Sequence, residues 1–203
     1  MKTELNPPQH PWLVLEPLRP EHDEPLREVA ALEDYRYWVS TVPRSLEPEA
    51  WSRFLDEIRA MPNVVPFAIR DLTTGELVGS TTYMDIRPAA RGLEIGMTWL
   101  TEAARGTWIN PLMKRMMLAH AFESWSAIRV QLKTDARNLH SQAAIRKLGA
   151  VYEGTLRQHG IQITGFRRDT AMFSIIESEW PEVQRRLDTR LAQIGVPGFS
   201  VAD

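Results

Sequence analysis

"GLEIGMTWLTEAARGTWINPLMKRMMLAHAFESWSAIRVQLKTD", residues 92–135, sets two alternating apolar runs on either side of a helical stripe. In GLEIGMTWL (92–100), a period of two puts Leu93, Ile95, Met97 and Trp99 on one face and Glu94, Gly96 and Thr98 on the other, as in a strand. IRVQLKTD (128–135) reads as a second strand. Between them Leu112, Met113, Met116, Met117 and Phe122 continue a helical stripe to Trp125. Asn110 is a good N-cap residue and Pro111 suits the first helical turn. Strands joined through such a helix should run parallel, with a right-handed crossover. The N-terminus of a helix after a parallel strand offers unpaired N–H groups and positive dipole character, and Gly106 would let a diphosphate approach the backbone. A plain turn before a helix explains the same residues equally well.

Toward the C-terminus, NLHSQAAIRKLG (138–149) reads as a short helix stopped by Gly149. AVYEGTL and TAMFSII read as strands around a polar loop, 157–168, and ESEWPEVQRRLDTRLAQIG as a closing helix. Toward the N-terminus, VVPFAIRD (64–71) and LVGSTTYMDI (77–86) form a hairpin around the tight turn TTGE. SLEPEAWSRFLDEIRAMP is a helix with Trp51, Phe54, Leu55 and Ile58 at helical spacing. RPEHDEPLREVAALEDYRYW opens with acids in its first turn and reads as another helix, with Leu26, Val29 and Ala30 on one stripe. WLVLEPL (12–18) reads as a strand. Helices come early, then a meander of strands, then a strand–helix–strand–helix–strand unit, which predicts a mixed sheet with helices on its faces, α/β or α+β. We expect a leader at 1–11, one domain over 12–192 and a tail at 193–203.

The 203 residues suit one domain, and 43% hydrophobic with 25% charged is an ordinary globular mix. A net charge of −2 gives no argument for a nucleic acid or membrane partner. The chain has no Cys, which excludes disulfides, thiolate nucleophiles and Cys-ligated metals. The opening MKTELNPPQHPW lacks the apolar core of a signal peptide, and no apolar run approaches a membrane span, so a cytoplasmic protein is expected. The five His show no paired ligand spacing, which predicts no metal site. No G-x-S-x-G elbow, nucleotide-binding lysine loop or G-x-G-x-x-G occurs where it would matter.

Two further stretches carry chemistry. Asn138 and Ser141 lie three apart, on neighbouring positions of one helical turn. Asp135 or Asn138 as a simple cap explains that stretch too. Glu94, mid-strand and opposite its apolar neighbours, is either solvated or held in a cleft.

LEIGMTWL, RGTWIN, HAFE, DARNLHSQAAIRKLGAVYEGTLR and RDTAMFSIIESEW, in this order over residues 12–180, resemble the GNAT superfamily of N-acetyltransferases, in its RimJ/RimL-like branch. The Asn-x-x-Ser…Lys-Leu-Gly-Ala-x-x-Glu-Gly run is the specific part. The resemblance implies a mixed, largely antiparallel sheet of about seven strands, splayed between the fourth and fifth, with acetyl-CoA as co-substrate in the splay.

It further implies that Arg105, Gly106, Thr107, Trp108, Ile109 and Asn110 wrap the CoA pyrophosphate, and that Asn138 hydrogen-bonds the pantetheine arm. Ser141 would protonate the departing thiolate, and Glu94 would be the general base, directly or through water. A backbone N–H near Met97–Trp99 would serve the oxyanion. An ammonium has no lone pair, so the acceptor must lose a proton, and desolvation makes a buried carboxylate more basic. The family's loop pattern ends in Gly or Ala where this chain has Trp108, whose indole either turns inward, stacks along the pantetheine or obstructs it. The Tyr that many members carry on the CoA helix aligns with Ile145, which leaves Ser141 as the acid. The expected activity is N-acetylation of a primary amine, on a small molecule or a protein N-terminus. The rival is a degenerate member that binds without turnover. Tyr35 and Trp38, beside Glu33 and Asp34, are the candidate acceptor-binding residues. The resemblance also implies a homodimer.

Overall fold

The computed structural model describes residues 9–39 and 41–200. Most of the expected leader and the last residues of the expected tail lie outside the described residues. The first described residues, Gln9–His10 (β1), pair with Leu13–Pro17 (β2). Then come Val65–Asp71 (β3), Leu77–Arg87 (β4), Gly92–Leu100 (β5), Arg129–Asp135 (β6), Val151–Ile161 (β7) and Arg167–Ile176 (β8). They form one sheet in the order β1-β2-β3-β4-β5-β6-β8-β7. Every neighbouring pair is antiparallel except β5 and β6. That parallel pair holds only from Gly92↔Arg129 to Glu94↔Gln131, so the two strands part company just beyond Glu94. The seven longer strands and this parting agree with the expected splayed sheet.

Helices Asp23–Val29 (α1) and Pro48–Arg59 (α2) supply Leu26, Trp51, Phe54, Leu55 and Ile58 to a core that also holds Ala68 and Trp99. Helices Ile109–Ala119 (α3) and Trp180–Ile194 (α5) bury their stripes in the other core, with Phe67, Ile69, Leu93, Ile95, Val130 and Phe173 from the sheet. Ala68 lies between Phe67 and Ile69 on β3 yet joins the other core, as period-two alternation requires. The short helix between β6 and β7, Leu139–Lys147 (α4), is followed by Gly149, whose φ of +97° gives the left-handed stop read from the sequence.

Three expectations are corrected. The helix expected over residues 19–38 is broken: a 3-10 turn at Pro20–His22 leads into α1, Ala30 and Ala31 are extended, and a second 3-10 turn covers Leu32–Tyr35. The break lets Tyr35 enter the aromatic core against Trp38, Phe54 and Trp99, which outweighs weak helix propensity. The polar loop at 157–168 is mostly strand, because β7 continues to Ile161 through an irregular register between Leu156 and Gly160. Its residues up to Ile161 are mostly exposed, while Gln162 and Arg168 are buried, so polarity there does not report the lack of a ladder. Finally, α3 begins at Ile109, one residue before Asn110. The Thr107 hydroxyl accepts from Ile109 N–H at 3.2 Å and donates to the Ala104 carbonyl at 2.7 Å, taking the local capping role expected of Asn110.

Candidate active site

Strand β5 does not keep the alternation expected of it. Ser80 pairs with Trp99 while Thr82 pairs with Gly96, so β5 carries one extra residue there. Met97 takes φ +47°, a left-handed conformation that stores local strain for a side chain of its kind. The bulge inverts the phase. Leu93, Ile95 and Leu100 belong to the α3 core, and Thr98 bonds to Thr81 and to Lys114 of α3. Met97 and Trp99 pack with the α1–α2 core, on the side that Glu94 faces.

Glu94 is 1% exposed. Its Oε2 accepts from Gln131 Nε2 at 2.8 Å and pairs with Lys133 Nζ at 2.9 Å. Its Oε1 accepts no hydrogen bond among the described residues. A Cβ on Gly96 would sit 2.9 Å from that Oε1 and 2.8 Å from Met84 Sδ, so any larger residue would make one of these side chains shift. Glu94 is therefore buried and not solvated. Gln131 and Lys133 alternate with Val130 and Leu132, so their shared face was readable; their pairing with Glu94 depends on parallel register and was not.

A second charged group lies nearby. Arg168 is buried, donates to Thr170 Oγ1 at 2.8 Å and to the Tyr37 carbonyl at 3.0 Å. Burial lowers its guanidinium pKa, against the opposing pull of Asp135 and Glu94. Burial raises Asp135, but hydrogen bonds from Arg137 bring it below its ordinary value. Sequence reasoning singled out neither Arg168, at the end of the polar stretch 157–168, nor Arg137.

The corner before α3 offers bare donors. The N–H groups of Gly106, Thr107, Trp108 and Asn110 donate no hydrogen bond among the described residues. Gly106 has φ +75° and open space where a Cβ would stand. Trp108 turns inward: its ring meets Trp12 of the β1–β2 turn edge-on, with centroids 5.2 Å apart, and packs against the α3 core. Of the three expectations for this indole, the inward one is seen. Arg105 donates to the Leu100 carbonyl at 2.9 Å and to Asp34. Ile109 is buried at the start of α3. These residues fit a diphosphate by donor supply and by the open space over Gly106.

Asn138 caps α4, with its Oδ1 accepting from Ser141 N–H at 3.0 Å. The cap reading of Asn138 is thus realised, and its amide nitrogen donates no hydrogen bond among the described residues. Ser141 is half-buried in the first turn of α4, and its hydroxyl has no partner among them. Tyr35 is 4% exposed within the aromatic core, and burial pushes its phenol pKa up. Its hydroxyl and the Trp99 indole nitrogen are buried without partners among the described residues. Trp38 stays half-buried beside Tyr35, at a centroid distance of 4.9 Å. Among the described residues no group of three or more His, Asp or Glu could hold a metal ion, and no helix is long and apolar enough to cross a membrane.

The sequence and the fold can be set beside known proteins. Residues 13–151 match the model of the acetyltransferase (GNAT) domain. YdaF of Bacillus subtilis (strain 168), provisionally named a ribosomal N-acetyltransferase, is 28% identical over 109 residues, which span 54% of this chain and 58% of YdaF. A provisionally named acetyltransferase of T. thermophilus has a crystal structure similar to this one, with a TM-score of 0.87 and 34% identity over 94% of this chain and 100% of that one. Mycobacterium smegmatis RimJ, in complex with CoA-disulfide, shares the fold with a TM-score of 0.74, at 22% identity over 94% of both chains. With more than half of its length matched by the domain model, the chain belongs to the GNAT acetyltransferase family.

Proposed function

We propose that the protein is an acetyl-CoA-dependent N-acetyltransferase that acts on a primary amine, of a small molecule or a protein N-terminus, by direct attack in a ternary complex. The observation that carries this reading is the Glu94 carboxylate, buried where β5 and β6 part and next to the Met97 bulge. Acetyl-CoA supplies an activated acyl group when bound. The loop from Arg105 to Asn110 would hold its diphosphate through backbone donors and the α3 dipole. Asn138 would offer its amide nitrogen to the pantetheine arm. The N–H groups around the Met97 bulge would serve the thioester oxygen, where losing one such donor typically costs ~10²–10³ in rate.

Glu94 Oε1, the oxygen left free by Gln131 and Lys133, would take the proton from the acceptor's nitrogen, directly or through a water. Ser141 would return a proton to the departing sulfur. Tyr35 and Trp38 would frame the acceptor, and YdaF's name favours a protein N-terminus among the possible amines. The inward turn of Trp108 supports cofactor binding at this loop, because the indole packs on Trp12 and the α3 core. Calorimetric titration with acetyl-CoA tests the cofactor, and an amine library with free-thiol detection tests transfer. Heat of binding and thiol release with at least one amine are expected. Binding without thiol release from any amine or N-terminal peptide would favour the binding role.

A further inference from the structure

A short strap, residues 34–39, crosses the site from one side to the other. At one end Asp34 accepts from Arg105 Nη2 in the loop that precedes α3. At the other end Gln162 Nε2 donates to the carbonyls of Arg36 and Trp38 at 3.0 and 3.2 Å, and Arg168 Nη1 donates to that of Tyr37 at 3.0 Å. Val39 packs where a side chain on Gly160 of β7 would have to be, 2.9 Å from its Cγ1. The strap therefore ties the loop after β5 to the β7–β8 hairpin, on the side of the sheet that Glu94 faces.

The two partners of the tie differ. The Asp34 side chain is 8% exposed and that of Arg105 is 44% exposed. A nearly buried carboxylate with one cationic partner loses when that partner leaves, so an anion that takes the guanidinium must offset that cost. Arg105 sits one residue before Gly106 and the bare amides, so an anion bound there draws on the same guanidinium. We propose that Asp34 is a positioning residue that holds Arg105 and competes for it with the cofactor's diphosphate, so that cofactor binding loosens the strap. This rests on the cofactor reading above. Release of the strap at its Arg105 end would open the side of the site where Tyr35 and Trp38 lie, and only after the cofactor is in place.

The sign of one substitution separates this from a merely structural role. If Asp34 competes for Arg105, Asp34→Asn should tighten CoA binding by about fivefold or more in titration calorimetry, within the range of ordinary coupling between sites. Asp34→Glu should restore the parent affinity. Hydrogen exchange on the unchanged chain needs no variant: amides of residues 34–39 should exchange faster with CoA bound, and inorganic pyrophosphate should produce part of the change. An unchanged or weaker affinity in Asp34→Asn, or slower exchange in the strap, overturns the latch while leaving the cofactor reading intact. No binding of CoA to the unchanged chain overturns both.

Discussion

Lys133 Nζ lies 2.9 Å from Glu94 Oε2, reaching back from two residues past Gln131, which faces Glu94 on the last rung that joins β5 and β6. One carboxylate oxygen is thereby held in position, and the other has no partner among the described residues. Glu94→Gln keeps the shape and removes the proton acceptor. It should lower the steady-state rate by about 10²–10⁴ while the CoA dissociation constant stays within about twofold. A rate within threefold of the parent would remove Glu94 from the mechanism.

Gly96→Ala tests the same carboxylate by crowding. The added methyl would meet Met84 Sδ at 2.8 Å and Glu94 Oε1 at 2.9 Å. Overpacking of this kind costs about 1–3 kcal/mol. We expect a lower melting temperature together with a rate loss larger than destabilisation explains at a temperature where the variant is folded. Full activity would show that Glu94 Oε1 need not stay where it lies.

Trp108→Gly should not tighten CoA binding, because the indole is packed on Trp12 and the α3 core. It should destabilise the fold by about 2–4 kcal/mol, through lost core packing and added chain freedom. A gain in CoA affinity, measured by calorimetry, would mean that the indole does obstruct the loop in solution.

Lys114 sits 6% exposed under β5, with its Nζ donating to Thr98 Oγ1 at 2.9 Å and no carboxylate in reach among the described residues. Burial pulls its pKa from 10.5 down to about 7. Between those two values the unfolded chain holds a proton that the folded chain has lost, so stability contributed by this group rises with pH across that window and is lowest below it. Lys114→Met should flatten the rise in denaturant midpoint from pH 7 to 10 and raise stability near pH 6. An identical pH dependence in both proteins would show that the buried amine does not titrate there.

Ser141→Ala should slow turnover and spare the fold, since only the backbone of Ser141 serves the α4 cap. Asn138→Ala should cost about 1 kcal/mol by removing that cap and should weaken CoA binding as well. Chemical denaturation and calorimetry read the two effects separately. A stability loss in Ser141→Ala as large as in Asn138→Ala would place the serine hydroxyl in the fold.

The order of elements was legible because apolar periodicity and turn residues are local. The hairpin around TTGE, the stripe of α2 and the stop at Gly149 follow from nearby residues alone. The strand phase of β5 was not legible. Leu93, Ile95, Met97 and Trp99 alternate without a break, and nothing in GLEIGMTWL marks an extra residue; the bulge is set by pairing with β4. The break after Val29 was hidden for a similar reason, since it depends on Tyr35 finding Trp51, Phe54 and Trp99. Within the site, Glu94, Asn138 and Ser141 were singled out by type and spacing. Gln131, Lys133, Arg168 and the Asp34–Arg105 tie join residues far apart in the chain, which periodicity cannot bring together.

The three rungs between β5 and β6 also set how the molecule bears load. They are the seam of two plates, one running from β1 to β5 and the other from β6 to β7, and the wedge beyond the seam has no backbone bonds to close it. A molecule lodged in such a wedge acts as mortar. Pulled apart from β2 and β7, the sheet should tear along this seam first, at a force that climbs when coenzyme A fills the gap.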